Sequence, residues 1–73
     1  MERQSVDSSN IRSIGYDASR QVLEVEFKQT GKVYRYAGVP ADMANSLVRA
    51  PSVGSFFAKH IKGRFGGEEV SAA

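Results

Sequence analysis

The chain has 73 residues and a formal net charge of +2, a length that suffices for one domain with a single small core. It contains no cysteine, which excludes disulfide bonds and thiolate metal sites. No apolar run approaches membrane-spanning length, and the first residues lack the apolar segment of a signal peptide. We therefore expect a soluble, cytoplasmic protein with no membrane partner.

Positive charge is concentrated in one part of the chain. Residues 1–48 carry six cations and six acids, whereas residues 49–65 carry four cations and no acid. These four cations are Arg49, Lys59, Lys62 and Arg64, and His60 lies among them. Any positive field of the domain is therefore expected to come mainly from its last helix.

The first predicted strand spans about residues 9–17, where apolar and small or polar residues mix. The expected cross-strand pairs are Tyr16 with Leu23 and Ile14 with Val25. Ile11 is out of phase with Ile14, so the segment around Ile11 is either a lead-in turn or a bulge. Both alternatives stay open at this point.

The second and third predicted strands span about residues 22–28 and 32–38. The second alternates apolar and charged residues, as a strand with one buried face does. Gly31 can take the positive φ of a tight turn, which predicts a two-residue turn at Thr30–Gly31. The resulting pairs are Phe27 with Tyr34, Val25 with Tyr36, and Glu26 with Arg35.

Two helices are predicted over about residues 40–50 and 52–63. Pro40 suits the first turn of a helix, Pro51 ends the first helix, and Ser52 is a candidate N-cap of the second. Apolar residues recur on one side of each helix: Met43, Leu47 and Val48 in the first, and Val53, Phe57 and Ile61 in the second.

These elements predict an α+β fold, in which two short C-terminal helices pack on the apolar face of a three-stranded antiparallel meander. The domain is expected to cover residues 5–65, with flexible tails at 1–4 and 66–73. The predicted structural core comprises Tyr16, Val25, Phe27, Tyr34, Tyr36, Leu47, Phe57 and Ile61.

Five segments in this order carry a family resemblance over about residues 5–65. They are Ser9 to Asp17, Leu23 to Phe27, Tyr34 to Pro40, Ser52 to Phe57, and Ile61 to Arg64. The ordered set resembles the KTSC domain, a small bacterial module named after the C-terminal domain of some lysyl-tRNA synthetases. Ala58 departs from the family pattern, which has a polar residue there, and the Gly-Gly-Glu-Glu tail is peculiar to this chain. The resemblance implies a domain whose function is generally described as unknown, with RNA binding suggested by the synthetase association.

The paired tyrosines Tyr34 and Tyr36 allow two interpretations. They would stack on bases if exposed, and they would be core residues if the helices cover them. The predicted register favours the core, because both tyrosines share the face of Val25 and Phe27.

The basic residues of the second helix are the leading candidates for phosphate or nucleic-acid contacts: Lys59, Lys62 and Arg64, with Arg49 in support. The alternative is that they interact with the helix dipole and keep the surface soluble. A second candidate is an anion site at the start of this helix, formed by Ser52, Gly54 and Ser55. Ordinary capping and a close approach at Gly54 would explain the same residues.

Catalysis is not expected, because the chain has one histidine, no cysteine and no phosphate-binding loop of the Walker type. No metal site and no cofactor are predicted. The leading hypothesis is a non-catalytic module that binds RNA or another phosphate-rich ligand through the basic second helix. The alternatives are a protein-interaction or homodimerisation module, and a dimeric protein that sequesters small nucleotides.

Overall fold

In the computed structural model, which describes residues 3–6 and 8–70, five strands form one antiparallel sheet in chain order. The strands are β1 (Arg3–Ser5), β2 (Ile11–Asp17), β3 (Val22–Phe27), β4 (Val33–Ala37) and β5 (Gly67–Glu69). Two helices, α1 (Ala41–Arg49) and α2 (Val53–His60), lie between β4 and β5 in the chain.

The predicted three-stranded meander is therefore wrong in its number of strands, although its three strands form the centre of the sheet. The additional strands are Arg3–Ser5 and Gly67–Glu69, in segments largely assigned to the tails. Every residue of both strands is exposed, and neither strand contains an apolar side chain. Both strands therefore lack the apolar alternation by which a half-buried strand is recognised in a sequence. They join the sheet through backbone pairing with β2 and β4.

The pairing of β2 with β3 confirms the predicted partners: Tyr16 lies opposite Leu23, and Ile14 lies opposite Val25. The open question about Ile11 is resolved as a bulge, because Ile11 pairs with Phe27 and Ser13 with Glu26, which leaves one extra residue between them. The bulge returns Ile11 to the buried face, where it has no exposed surface.

The predicted pairing of β3 with β4 is wrong by two residues. The observed pairs are Leu23 with Tyr36, Val25 with Tyr34, and Glu24 with Arg35. The connection is longer than predicted, since the Phe27 amide donates to the Lys32 carbonyl at 2.9 Å and residues 28–31 form the turn. Gly31 occupies this turn with a φ of 70°, in the left-handed region that glycine adopts without strain. A shift of two residues leaves each side chain on its predicted face.

The core lies between the two helices and one face of the sheet. Ser52 caps α2, its Oγ accepting from the Ser55 amide at 3.4 Å. Tyr16 fastens the sheet to the entry of α1, because its hydroxyl donates to the Val39 carbonyl. The side chains with no exposed surface are Ile11, Leu23, Val25, Val39, Leu47 and Ile61, each of which stabilises the fold by about 1.5–3 kcal/mol through burial.

The other face of the sheet carries paired charges. Both carboxylate oxygens of Glu24 are bonded, one to Arg3 and one to Arg35, each at 2.9 Å. Arg3 reaches Glu24 across Gly15, its partner on β2. The Glu24 side chain is only 7% exposed, and its charge is stabilised there by the two guanidinium groups. Lys32, just before β4, and Glu69 of β5 form a further ion pair at 3.6 Å, but on the opposite face of the sheet, since Glu69 lies opposite Tyr34.

Candidate binding site

Three exposed cations surround the end of α2. The helix ends at His60, and the amides of Ile61 and Lys62 both donate to the Phe57 carbonyl. Gly63 then reverses the chain with a φ of 88°, and the Arg64 amide donates to the Ile61 carbonyl at 3.0 Å. We call Lys59, Lys62 and Arg64, which this compact turn holds at one end of the helix, the basic cluster.

The basic cluster is not neutralised by acids. The ion pairs among the described residues lie in the sheet and its turns. They join Arg3 and Arg35 to Glu24, Arg20 to Asp17, and Lys32 to Glu69. None of the three cluster residues, nor Arg49, pairs with an acid in the described part of the chain. The partial negative charge at the end of α2 favours these cations only weakly, so their charge remains available to an external anion.

Arg49 and His60 are not counted in this cluster. Arg49 is the last residue of α1 and immediately precedes the connection to the beginning of α2, whereas Lys59 lies in the last turn of α2 and Lys62 and Arg64 follow that helix. His60 packs its ring against Phe56, with the ring centres 4.5 Å apart. Of the four predicted phosphate contacts, three therefore belong to the end of α2, and Arg49 belongs to the end of α1.

A cleft of about 550 Å³ lies between the β3–β4 hairpin and α2. Its aromatic surface is formed by Phe27, Tyr34, Tyr36 and Phe57. Exposed side chains at its edges include Asn10, Gln29, Thr30 and two cations, Lys32 and Lys62. No acidic side chain lines the cleft among the described residues.

The α2 side of the cleft is formed by the helix and by a residue just beyond its end. Gly54 and Ala58, four residues apart in α2, line the cleft, as residues on one side of a helix do, and Lys62 lines it from the turn that follows the C-cap Ile61. Glycine and alanine fill little space there, while Lys62 brings a charge to the same side. Lys62 thus belongs both to the basic cluster and to the cleft, whereas Lys59 and Arg64 do not line it.

The two tyrosines have different surroundings although they share a face. Tyr36 is 7% exposed and meets the edge of Phe57 at 5.4 Å between ring centres. Tyr34 is half-buried, stacked at 6.5 Å from Tyr36 and edge-on at 5.7 Å from Phe27. Tyr34 therefore packs on the core with part of its ring and leaves the rest in the cleft.

The hydroxyls of these tyrosines are available as hydrogen-bond donors. Neither bonds to another described residue, unlike the Tyr16 hydroxyl, and no buried side-chain oxygen lacks a partner in the described structure. Both hydroxyls consequently reach solvent. Burial raises the pKa of Tyr36, and the nearby Tyr34 adds to this effect, so the Tyr36 hydroxyl keeps its proton at neutral pH.

The predicted anion site at the start of α2 makes several contacts within the chain. The Ser52 hydroxyl serves as the cap described above. Gly54 lies against the turn before β2, where an added Cβ would be 3.4 Å from the Ser8 Oγ. The remaining candidate, Ser55, contributes its amide to the cap and exposes its side chain. Capping and close approach explain these contacts, and Ser52, Gly54 and Ser55 also line a cleft of about 410 Å³ with the turn before β2, so the anion site stays a prediction.

The described residues contain no group of three or more histidine, aspartate or glutamate side chains arranged to hold a metal ion. Neither α1 nor α2 has the length and apolar character that a membrane-crossing helix requires.

Comparison with known proteins gives consistent matches. The family model of the KTSC domain matches residues 7–65. A protein of Stutzerimonas stutzeri is 46% identical over 57 residues, which cover 78% of this chain and 79% of that protein. A lysine–tRNA ligase of Trichormus variabilis is 40% identical over 65 residues, which cover 89% of this chain but 11% of the ligase. The crystal structure of a KTSC domain protein from Yersinia pestis matches with a TM-score of 0.92 and 41% identity, over 96% of this chain and 97% of that one.

Proposed function

This chain belongs to the KTSC domain family, and we propose that it is a non-catalytic binding module that contacts RNA or another phosphate-rich ligand through the basic cluster at the end of α2. One observation carries the proposal. Lys59, Lys62 and Arg64 are exposed at one helix end and have no acidic partner among the described residues. Most cations of the sheet and its turns, by contrast, are paired.

Among phosphate-rich ligands, the similarity to part of a lysine–tRNA ligase favours RNA. The name of the Trichormus variabilis protein, lysine–tRNA ligase, identifies a tRNA as its reaction partner. The matched region is only 11% of that protein, so the ligase reaction itself is not transferred to this chain. A region that accompanies an enzyme acting on tRNA supports a role in contacting RNA rather than in catalysis.

The proposal is tested by reversing two charges of the cluster outside the cleft, in the double variant Lys59→Glu and Arg64→Glu. Both side chains are exposed, so the fold should persist. Anisotropy of a labelled single-stranded RNA in low salt should show about tenfold weaker binding or more, because two phosphate contacts become repulsive.

The matched control is the double variant Arg12→Glu and Lys28→Glu. It makes the same change in net charge at exposed cations that have no acidic partner in the described structure and lie outside the cluster. Equal loss of affinity in the two double variants would reject a localised contact at the end of α2, since only the total charge would then matter.

Self-association is the less favoured candidate. A sheet edge or the aromatics Phe56 and Phe65 could supply its surface, but both rings are half-buried and pack against the core, which reduces the apolar surface available to a second copy. Sedimentation velocity over a wide concentration range tests it directly, and we expect a monomer at every concentration.

A further inference from the structure

The cleft between the β3–β4 hairpin and α2 has an aromatic surface and a cationic surface, whereas the basic cluster offers only positive charge. One is aromatic and includes the solvent-facing part of Tyr34. The other is cationic, with Lys62 on the helix side and Lys32 on the hairpin side. Lys32 is paired with Glu69, whereas Lys62 has no acidic partner among the described residues. The uncompensated positive charge is therefore on the α2 side.

The remaining edge of the cleft is polar and exposed. Asn10, Gln29 and Thr30 offer amide and hydroxyl groups, which can both donate and accept hydrogen bonds. The Tyr34 hydroxyl adds a donor that has no partner in the described structure. The volume of about 550 Å³ lies within the range of roughly 300–1,000 Å³ that is usual for small-molecule sites.

We propose that this cleft binds one nucleotide, with its base against Tyr34 and its phosphate beside Lys62. The inference rests on the proposed function and names the ligand unit that the site takes. Aromatic side chains bind bases by stacking, the polar edge suits the hydrogen-bonding groups of a base, and Lys62 suits a phosphate. The same chemistry is present in a free nucleoside monophosphate and in an unpaired nucleotide of RNA.

Simpler occupants match only part of the cleft. An apolar molecule would contact the aromatic surface only, and the exposed Lys62 and polar edge would contribute nothing to its binding. Inorganic phosphate would engage Lys62 but not the aromatic surface. A nucleotide satisfies both surfaces at once. No acid lines the cleft among the described residues, and Glu69, beside its edge, is paired with Lys32, which limits repulsion of a phosphate at Lys62.

Amide chemical-shift titration of the whole chain tests the ligand class with AMP, UMP, ribose 5-phosphate and short oligoadenylate and oligouridylate. We expect saturable shifts at Tyr34, Ala58 and Lys62. Ribose 5-phosphate should bind about 5- to 150-fold more weakly than AMP, because it lacks the stacked base. Binding by AMP or UMP identifies free nucleotides as sufficient, whereas binding by the oligonucleotides alone identifies RNA as the source. No saturable shift with any probe, or equal affinity for ribose 5-phosphate and AMP, would overturn the inference.

Ala58→Leu tests the position of the site without a change of charge. Ala58 is exposed and lines the cleft, so a larger side chain should obstruct it and weaken nucleotide binding about tenfold. Ala41→Leu adds the same group at an exposed position of α1 outside the cleft and should bind as the unmodified chain does. If Ala58→Leu does not fold, Lys62→Gln replaces it, with the same expected loss for AMP.

The two proposals fail in distinguishable ways. If Ala58→Leu binds AMP and oligonucleotides normally while Lys59→Glu with Arg64→Glu loses RNA, the basic cluster binds RNA and the nucleotide cleft is rejected. If Ala58→Leu loses AMP while the double variant keeps full RNA affinity, the cleft is upheld and the proposed RNA contact at the basic cluster is rejected. If neither variant changes any binding, both proposals are rejected.

Discussion

The open face of the sheet and the end of α2 are both rich in charge, but they use it differently. On the sheet, Glu24 is bonded to Arg3 and Arg35 at 2.9 Å each and is almost fully covered. At the end of α2, Lys59, Lys62 and Arg64 are exposed and have no acidic partner in the described structure. Charge that is paired within the chain contributes to its architecture, and charge that is left unpaired on the surface is free to contact a ligand.

The largest expected effect is on the sheet. Glu24→Gln removes the charge that joins two guanidinium groups. Its single oxygen can accept from one of them, while its NH2 group faces the other as a second donor, so one of the two hydrogen bonds is lost. Because Arg3 and Arg35 remain partly exposed and can be solvated, we expect a loss of about 2 kcal/mol in the free energy of unfolding. For a domain of this size that corresponds to a fall in Tm of roughly 10 °C.

Urea and thermal unfolding measure this loss, with Glu68→Gln as the control. Glu68 lies opposite Arg35 but is exposed, so its replacement should change stability by less than about 0.5 kcal/mol. RNA affinity should be unaffected in Glu24→Gln at temperatures where it is folded. A large loss of RNA affinity with little loss of stability would reverse the comparison between the two regions.

The next effect concerns the end of α2 and depends on salt. Three phosphate contacts on a single strand give a slope of about −2 for the logarithm of affinity against the logarithm of salt concentration. Raising the salt from about 50 to 200 mM should therefore weaken RNA binding about 15-fold. Anisotropy titrations at several salt concentrations measure the slope. A slope near zero would show that the basic cluster does not contact phosphates.

The sequence could predict those parts of the fold that depend on burial. Alternating apolar and charged residues identify β3, and the stripe through Val53, Phe57 and Ile61 identifies α2, because each pattern matches the period of its element. The apolar residues of β2 and β4 are found by pairing them with those of β3. The edge strands lack such a pattern. Arg3 is held by Glu24, 21 residues away in the chain, and no local feature of sequence indicates that pairing.

The candidate site could be predicted only in part, because the cleft joins residues that are far apart in the sequence. The residues of the basic cluster are close together in the sequence, so an excess of positive charge over residues 49–65 identifies Lys62. The position of Lys32 across the cleft from Lys62 depends on the turn at residues 28–31, which is longer than the predicted Thr30–Gly31 turn. The exposed part of Tyr34 depends on where α2 ends on the sheet, and this is a property of tertiary packing.

A smaller effect concerns β5, and it tests whether close packing of Tyr36 on Gly67 stabilises this strand in addition to the Lys32–Glu69 ion pair. The Tyr36 ring lies over Gly67, and an added Cβ would be 2.5 Å from its Cε2 atom. Gly67→Ala must therefore displace β5 or the ring, at a cost of about 1 kcal/mol. Amide hydrogen exchange should be faster at Val70, whose amide donates to the Val33 carbonyl, and unchanged in β2. Gly66→Ala is the control, since a Cβ at Gly66 meets no atom of the described structure within 4 Å.

The smallest effect lies at the turn between β2 and β3, where a carboxylate is again satisfied within the chain. Asp17 Oδ1 accepts from the Ser19 hydroxyl at 2.7 Å and from the amides of Ser19 and Arg20. The bond from the Ser19 side chain is the main cause that lowers the pKa of Asp17, and the two amides and the Arg20 charge add to it. Because the pKa of Asp17 is lower in the folded state, its contribution to stability is present above the unfolded pKa and is lost as the pH falls through the folded one.

Ser19→Ala should raise the pKa of Asp17 toward its ordinary value, which side-chain carboxyl shifts measure in an NMR titration. Ser46→Ala, an exposed serine of α1, should leave that pKa unchanged, and an equal shift in both variants would show that the turn does not hold the carboxylate as described.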